Sequence, residues 1–364
     1  MTISGVTVDS IRSLSQNYLP KIRRGMQESQ KLVAYAGMML LMNSGKGVTT
    51  NDNYEYGWNV RLRSADGSTH EHQPYARHNA TQHDVQERAS VKMATRINTA
   101  LKFEVLIKAY NGGSAEKIND QYKMDASAQQ EEIANVKEAD CWGVPQSSTL
   151  TNKWLGIPYW YGRFCDANGA FSASETPGYN GIRTRFGNGT ASSTIGGIDA
   201  SPVANDRWRA LGFTHQSIVD DLFISKVKYC IEEQKFQRLP GLKGEGLESN
   251  KQRIFMHPTL YDAASDYASK QGPDDGELYL KPGTMLTISG VPLIRTPGLA
   301  GDASLPFYGI NSDVVEFLKI TELWDKDQDP RPIGTTSYVL PHTWAGQFIA
   351  RMRRNMGFFG HGEY

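Results

Sequence analysis

From Val91 to Ile107 every odd position holds an apolar residue or a threonine: Val91, Met93, Thr95, Ile97, Thr99, Leu101, Phe103, Val105 and Ile107. Several even positions are charged or amide, namely Arg96, Asn98, Lys102 and Glu104. A period of two belongs to a β-strand with one buried face. Read as one strand, the stretch reaches more than about 50 Å at ~3.3 Å per residue. The usual strand has only about 5–6 residues, so this one either projects from its domain or bends between two sheets. A second alternation puts Tyr54, Tyr56, Trp58, Val60 and Leu62 on one face, with Glu55, Asn59, Arg61 and Arg63 opposite. Asp66-Gly67 follows as a hairpin turn signal. Together the two alternations predict a long hairpin over residues 54–107. Its open edges are a hazard in a monomer and suit a chain whose neighbours cover them.

The flanking segments read as arm, helix and mixed sheet. Residues 1–50 form an arm, helical from Val8 to Met42 with a break at Pro20, ending in the flexible NSGKG. Gly112-Gly113 ends the long strand, Ser114 caps a helix and Glu116 favours its first turn. Helix formers continue to Trp142, where Gly143 and Pro145 stop them. At 1.5 Å per residue that helix is about 43 Å long. Its apolar stripe is narrow: Ile118, Tyr122, Ala126, Ile133 and Val136. One thin stripe implies a helix lying across a sheet, with its other side in solvent or against neighbours. Residues 145–211 are turn-rich and include SSTIGGIDASPVANDRWRA at 192–210. A second helix is read with Thr214 as its cap and Val219, Phe223, Val227, Cys230 and Ile231 on one face. RIFMHP (253–258) reads as a short buried strand leading into a helix, and 284–296, 313–320 and 338–355 as mostly strand. The class is α+β.

Composition excludes several functions. Lys plus Arg and Asp plus Glu both number 39 in 364 residues, so no global field draws the chain to nucleic acid or membrane. Cys141, Cys165 and Cys230 form no CxxC pair, which argues against a disulfide framework or zinc site and for a reducing cytosol. The longest apolar run, Leu32–Met42, is too short for a bilayer, and the N-terminus lacks the pattern of a signal peptide. Neither membrane insertion nor export is expected. No GxxxxGK[ST] or GxSxG motif is present, and Gly196-Gly197 has no following Lys-Ser/Thr to make a phosphate cradle. His70, Glu71, His72, His78, His83 and Asp84 cluster, and His70 and His72 share a strand face. The cluster has no HExxH spacing, so no metal is assigned; it supports only an alternative reading as a metal-dependent enzyme. No catalytic residue and no cofactor is assigned. Arg351, Arg353 and Arg354 form a local basic patch, the candidate DNA-facing residues.

The order of elements resembles the major capsid protein of tailed bacteriophages, a fold shared with encapsulin compartments. RIFMHPTLYDAASDYASKQ is similar to the strand, His-Pro and helix of that family's axial domain. LTISGVPLIRTPGLA is similar to the strand that follows it, and Gly196-Gly197-Ile198-Asp199 with Trp208-Arg209 resembles a phrase between spine and axial helices. The resemblance implies an arm at 1–50, an extended-loop hairpin at 51–111 and a peripheral domain with a long spine helix at 112–211. It implies an axial domain at 212–335 and a peripheral return strand at 336–364. It further implies a non-enzymatic shell protein of the virion, assembled in the host cytoplasm from hexamers and pentamers around double-stranded DNA. Portal, scaffolding and decoration proteins are the implied partners. No charged scaffolding segment precedes the arm, so a separate scaffolding protein or none is expected. Tyr56, Trp58, Asp66, Gly67, Trp208 and Arg209 are the candidate inter-subunit contacts. An encapsulin-like compartment is the alternative of the same fold.

Overall fold

The structure, a computed structural model, describes residues 46–48, 54–62, 86–99, 102–104, 115–145, 153–162, 184–185, 194–200, 203–215, 219–236, 252–270, 278–279, 286–333 and 337–362. The expected arm before Lys46, the hairpin tip with Asp66 and Gly67, the His70–Asp84 cluster and Cys165 lie outside these residues.

The chain begins with strands β1 (Lys46–Val48), β2 (Glu55–Arg61), β3 (Gln86–Lys92), β4 (Ala94–Asn98) and β5 (Lys102–Glu104). Helices α1 (Ala115–Trp142) and α2 (Ile157–Tyr161) follow, then β6 (Thr184–Arg185), β7 (Thr194–Ile195), β8 (Ile198–Asp199) and β9 (Leu211–His215). Next come helix α3 (Asp221–Phe236), β10 (Gln252–Met256) and helix α4 (Pro258–Lys270). β11 (Leu278–Tyr279), β12 (Thr287–Ile288), β13 (Val291–Arg295), β14 (Phe307–Asn311) and β15 (Val315–Ile320) continue the sheets. The chain closes with β16 (Lys326–Asp327), β17 (Arg331–Ile333), β18 (Ser337–Val339), β19 (His342–Ala350) and β20 (Gly357–Gly362).

Two sheets organise these elements. In the first, β19 is central: β15 and β16 pair along one side and β4 along the other, while β1 adds in parallel beyond β15. The second runs β11-β12-β13-β10-β14-β20-β9-β6. Its strands alternate residue by residue between two cores. Ile254, Met256, Leu293, Phe307, Phe213 and Phe358 face one core with α3 and α4. Phe255, Ile294, Tyr308 and Phe359 face the other, shared with Trp58, Trp142, Trp160 and Phe348. A sheet buried on both faces needs continuous apolar runs, which is why RIFM and FYGI lack a polar alternation. The two sheets cut across residue 335: β15 and β19 share the first, while β14 and β20 share the second.

The long alternation is not one strand. It is divided among β3, β4 and β5, which belong to three different sheets. The Met93 amide donates to the Tyr54 carbonyl at 2.8 Å, closing the hairpin ladder, and the next residue already pairs with β19. Met93 and Ala94 are both buried, so the alternation slips by one. Ile97 is consequently 59% exposed while Asn98 is buried. Asn98 takes the inner place because α1 satisfies it: its Oδ1 accepts from Gln129 and its Nδ2 donates to Glu132. The hairpin itself holds, with β2 and β3 antiparallel from Glu55↔Lys92 to Arg61↔Gln86.

The long helix runs Ala115–Trp142, and its buried side includes Ala126 and Ile133. Gln129, Gln130, Lys137, Glu138 and Asp140 are buried beside them. The narrow stripe is thus widened by polar groups, each needing a partner inside. The predicted face of α3, Val219, Phe223, Val227, Cys230 and Ile231, is buried. Its cap is not Thr214, which lies in β9; the Asp220 carboxylate accepts from the Phe223 amide at 2.7 Å instead. Among the described residues no helix is long and apolar enough to cross a membrane.

Candidate assembly joint

The base of the β2–β3 ribbon is tied down by the stretch around Gly196-Gly197. A two-residue hairpin loop prefers a type I′ turn, with positive φ at both central residues. Gly196 and Gly197 supply φ of 61° and 83° between β7 and β8. The Gly196 carbonyl accepts from the Ser90 amide of β3 at 2.9 Å. Its own N–H donates to the Tyr159 hydroxyl at 3.0 Å, so the turn's donor is directed into the protein. Burial pushes the Tyr159 phenol up, against the pull of that bond and of Arg353, and keeps the oxygen neutral.

Helix α2 brings Tyr159, Trp160 and Tyr161 to this place, all buried. Pro158 opens the helix and Gly162, left-handed at φ 77°, closes it. Trp160 packs against Trp58 of the ribbon at 5.9 Å between ring centroids and donates Nε1 to the Phe348 carbonyl of β19 at 3.1 Å. Trp208 donates Nε1 to the Ile195 carbonyl at 2.9 Å. Arg353 closes the arrangement: Nε donates to the Trp160 carbonyl at 2.6 Å and Nη1 to the Trp208 carbonyl at 2.8 Å. Its guanidinium also lies 6.0 Å from the Trp208 ring. Burial pulls the Arg353 pKa down to about 9, with Tyr159 and Tyr161 acting the other way, so it stays cationic at neutral pH. The outer part of the stretch is fastened as well. Asn205 donates to the Asp199 carbonyl at 2.8 Å and Arg209 to the Ala200 carbonyl at 2.7 Å.

The candidate residues separate into two groups. Tyr56 is half-buried and stacks on Trp58 at 6.1 Å, and Arg209 is half-buried. Trp58 and Trp208 are buried within the chain, where their rings anchor the ribbon and the turn. Arg353 and Arg354 are both 0% exposed and form no outward basic patch. The short turn at Arg353–Asn355 folds them inward, and the Trp160 and Trp208 carbonyls hold Arg353 there. Arg351 alone stays exposed, and it makes a two-pronged pair with Glu316 at 2.9 and 2.8 Å. Glu316 also accepts from Lys46 at 3.0 Å, which fastens β1 to the first sheet. Among the described residues no group of three or more His, Cys, Asp or Glu is placed to hold a metal ion.

Two features were missed in the sequence. Helix α2 had a signal in Gly-Ile-Pro followed by an apolar run and Gly162. The cluster of buried Lys137 and His342 with half-buried Asp325 and exposed Asp327 had none, because its members come from α1, a turn and two strands.

No family model matches the sequence, and no curated protein matches it either. Solved structures do match its fold. The Cyanophage A-1(L) capsid asymmetric unit superposes with a TM-score of 0.55 at 12% identity, over 90% of this chain and 92% of that one. The Cyanophage P-SCSP1u capsid gives 0.47 at 9% identity over 87% and 85%, and the capsid of Myoviridae phage XM1 gives 0.46 at 11% over 89% and 92%. The fold assignment rests on the first of these. The chain has the α+β fold of the tailed-phage major capsid proteins.

Proposed function

We propose that the chain is a major capsid protein, assembling with copies of itself into an icosahedral shell around double-stranded DNA. The observation that carries this reading is the match to the cyanophage capsid over nine-tenths of both chains. The ribbon supports it: a two-stranded hairpin is marginal alone, yet this one is held at its base by a dedicated joint. The work is mechanical and rests on burial between subunits, with no reaction catalysed. The hairpin would lie over an adjacent subunit, the arm of residues 1–50 would wrap another, and the axial region at 212–335 would cluster about the fivefold and sixfold positions. Portal, scaffolding and decoration proteins are the further partners of such a shell in a virion. DNA contact is not assigned to Arg353 or Arg354, which are buried.

Electron microscopy of the purified protein, alone and with its neighbouring gene products, tests the reading. Shells are expected; a chain that stays monomeric in every combination overturns it. Deleting residues 66–85 spares β2 and β3 and should leave a folded subunit that forms no stable shell. Normal shells from that variant would remove the hairpin from the assembly mechanism.

A further inference from the structure

Consecutive residues of α1 serve different layers. Lys137 turns to the first sheet, paired with Asp325 and lying over the Trp324 ring at 4.8 Å. Glu138 and Trp142 turn to the second. Trp142 packs on Phe255 at 5.4 Å and on Tyr308 at 5.6 Å, the inner face of that sheet. Glu138 is buried, and its Oε1 accepts from Trp142 Nε1 at 2.7 Å. Its Oε2 is also buried and has no hydrogen-bond partner among the described residues. Facing both side chains is the turn Pro297–Leu299, which continues β13. The approach is close: a Cβ on Gly298 would come within 2.8 Å of both Glu138 Oε1 and Trp142 Cδ1. The seam between the helix and the second sheet is thus built around a buried carboxyl group in a close contact.

We propose that Glu138 is a protonation-operated latch: neutral, it seats α1 against the turn at Pro297–Leu299, and ionised, it loosens that seat. A carboxylate with a buried oxygen lacking a donor is costly, whereas the neutral acid is tolerated. Burial pushes the Glu138 carboxyl up to about 7, against the opposing pull of the Trp142 bond. Among the described residues the surrounding groups supply no counter-charge. On α1 the neighbours are Lys137, committed to Asp325; Asp140, bonded to Arg96; and Cys141, whose thiol is pushed up chiefly by burial. The turn presents Pro297, Gly298 and Leu299, and the sheet presents Phe255 and Tyr308. His257, Arg295 and Asp302 flank the turn, and Asp302 and Arg295 act in opposite senses on His257.

The sign follows from linkage. Folding raises the carboxyl from 4.5 to about 7, so the folded state binds the proton more tightly. Stability therefore falls as pH rises from about 4.5 to about 7, and is level above that range. The shift corresponds to a roughly 300-fold change in the unfolding equilibrium across the window.

The latch belongs to the folded subunit and does not rest on the shell reading. Thermal unfolding of the full chain across the window, with Glu138→Gln beside it, is the first test. The neutral amide mimics the protonated acid, so the variant should lack the extra downward slope of the wild type. Parallel slopes overturn the proposal. The second test is infrared titration of wild-type protein carrying labelled glutamate, which needs no variant to fold. A protonated glutamate that ionises near neutral pH is expected; if every glutamate is ionised by about pH 6, the latch does not exist.

Discussion

Trp208→Ala should open the joint beneath the ribbon before it opens anything else. The indole is completely buried. A tryptophan buries on the order of 150–250 Å², worth about 4–6 kcal/mol at ~25 cal/mol/Å². Large-to-small changes of this type in cores cost about 3–5 kcal/mol, so the two estimates agree. The variant also loses the Nε1 bond to the Ile195 carbonyl and the ring beside the Arg353 guanidinium. A chain of this size opens region by region, so hydrogen exchange is the assay of choice. The Ser90 amide reports directly, because it is bonded to the Gly196 carbonyl. Its protection should fall by roughly two to three orders of magnitude, at 1.4 kcal/mol per tenfold. Amides of β10 and β14, which pair with each other in the second sheet, should change much less. Trp208→Phe retains most of the ring and loses one hydrogen bond, about 1 kcal/mol, so its effect should be roughly tenfold or less. The reasoning is refuted if Ser90 protection is unchanged in the alanine variant. It is equally refuted if β10 and β14 lose protection by the same factor, because the joint would then have no local stability of its own.

Asp325→Asn should cost about 3–5 kcal/mol, since it leaves the Lys137 ammonium buried without its partner; calorimetry of the variant and of Asp325→Asn with Lys137→Met, which should recover most of the loss, checks this. Burial alone would raise the Asp325 carboxyl, but Lys137 and then His342 outweigh it and hold the group below its usual range. Its contribution is therefore present above the unfolded value of 3.8 and lost as acid protonates it in the folded state. Glu316→Gln should leave global stability within about 1 kcal/mol, as exposed pairs do, yet speed proteolytic cleavage near Lys46 by freeing β1; equal cleavage rates would show that the Lys46 and Arg351 pairs do not hold the strand. Burial would also raise the Glu316 carboxyl, but Arg351 and Lys46 together keep it below 4.5. The wild-type strand should accordingly stay protected near and above pH 4.5 and loosen only in stronger acid.

Local patterns carried the sequence reading as far as neighbours in sequence decide structure. The Ala115–Trp142 helix, the buried face of α3 and the apolar run of β10 were legible from periodicity and stop signals alone. The break after Met93 was not, because it depends on which strand pairs on each side of it: β2 before, β19 after. Asn98 and Ile97 exchange burial for the same reason. The arginines show the limit most clearly. In sequence, Arg351, Arg353 and Arg354 are three cations in a row of four residues, which reads as surface by ordinary burial statistics. Two are internal because a short helical turn aims them inward, where main-chain carbonyls from α2 and from Trp208 receive Arg353. Those carbonyls belong to residues 193 and 145 positions away, so no window along the chain could have paired them.

The ribbon's orientation is a property of the core rather than of the ribbon. Its inner face sets Trp58, Val60, Ala89 and Val91 into the core shared with Trp142, Trp160 and Phe348, and β3 passes into β4, which pairs with β19, after a single residue. Beneath it, β19 is buried along its whole length, and its Gln347 accepts from the Leu155 amide while donating to the Lys92 and Lys153 carbonyls. One side chain thus ties the end of β3, the approach to α2 and the central strand together. The described part of the ribbon is therefore continuous, through β3 and Gln347, with β19. Under the shell reading Gln347, buried within its own chain, would set the angle at which the ribbon meets a neighbouring subunit. Gln347→Ala takes this partner from the buried Leu155 amide and from the part-buried Lys92 and Lys153 carbonyls, at about 1–3 kcal/mol for a buried group that finds no substitute. Its subunit should fold, lose exchange protection at Leu155, and assemble into shells that are fewer or irregular by electron microscopy. Regular shells from a variant with an exposed Leu155 amide would show that the ribbon takes its bearing from its partners instead.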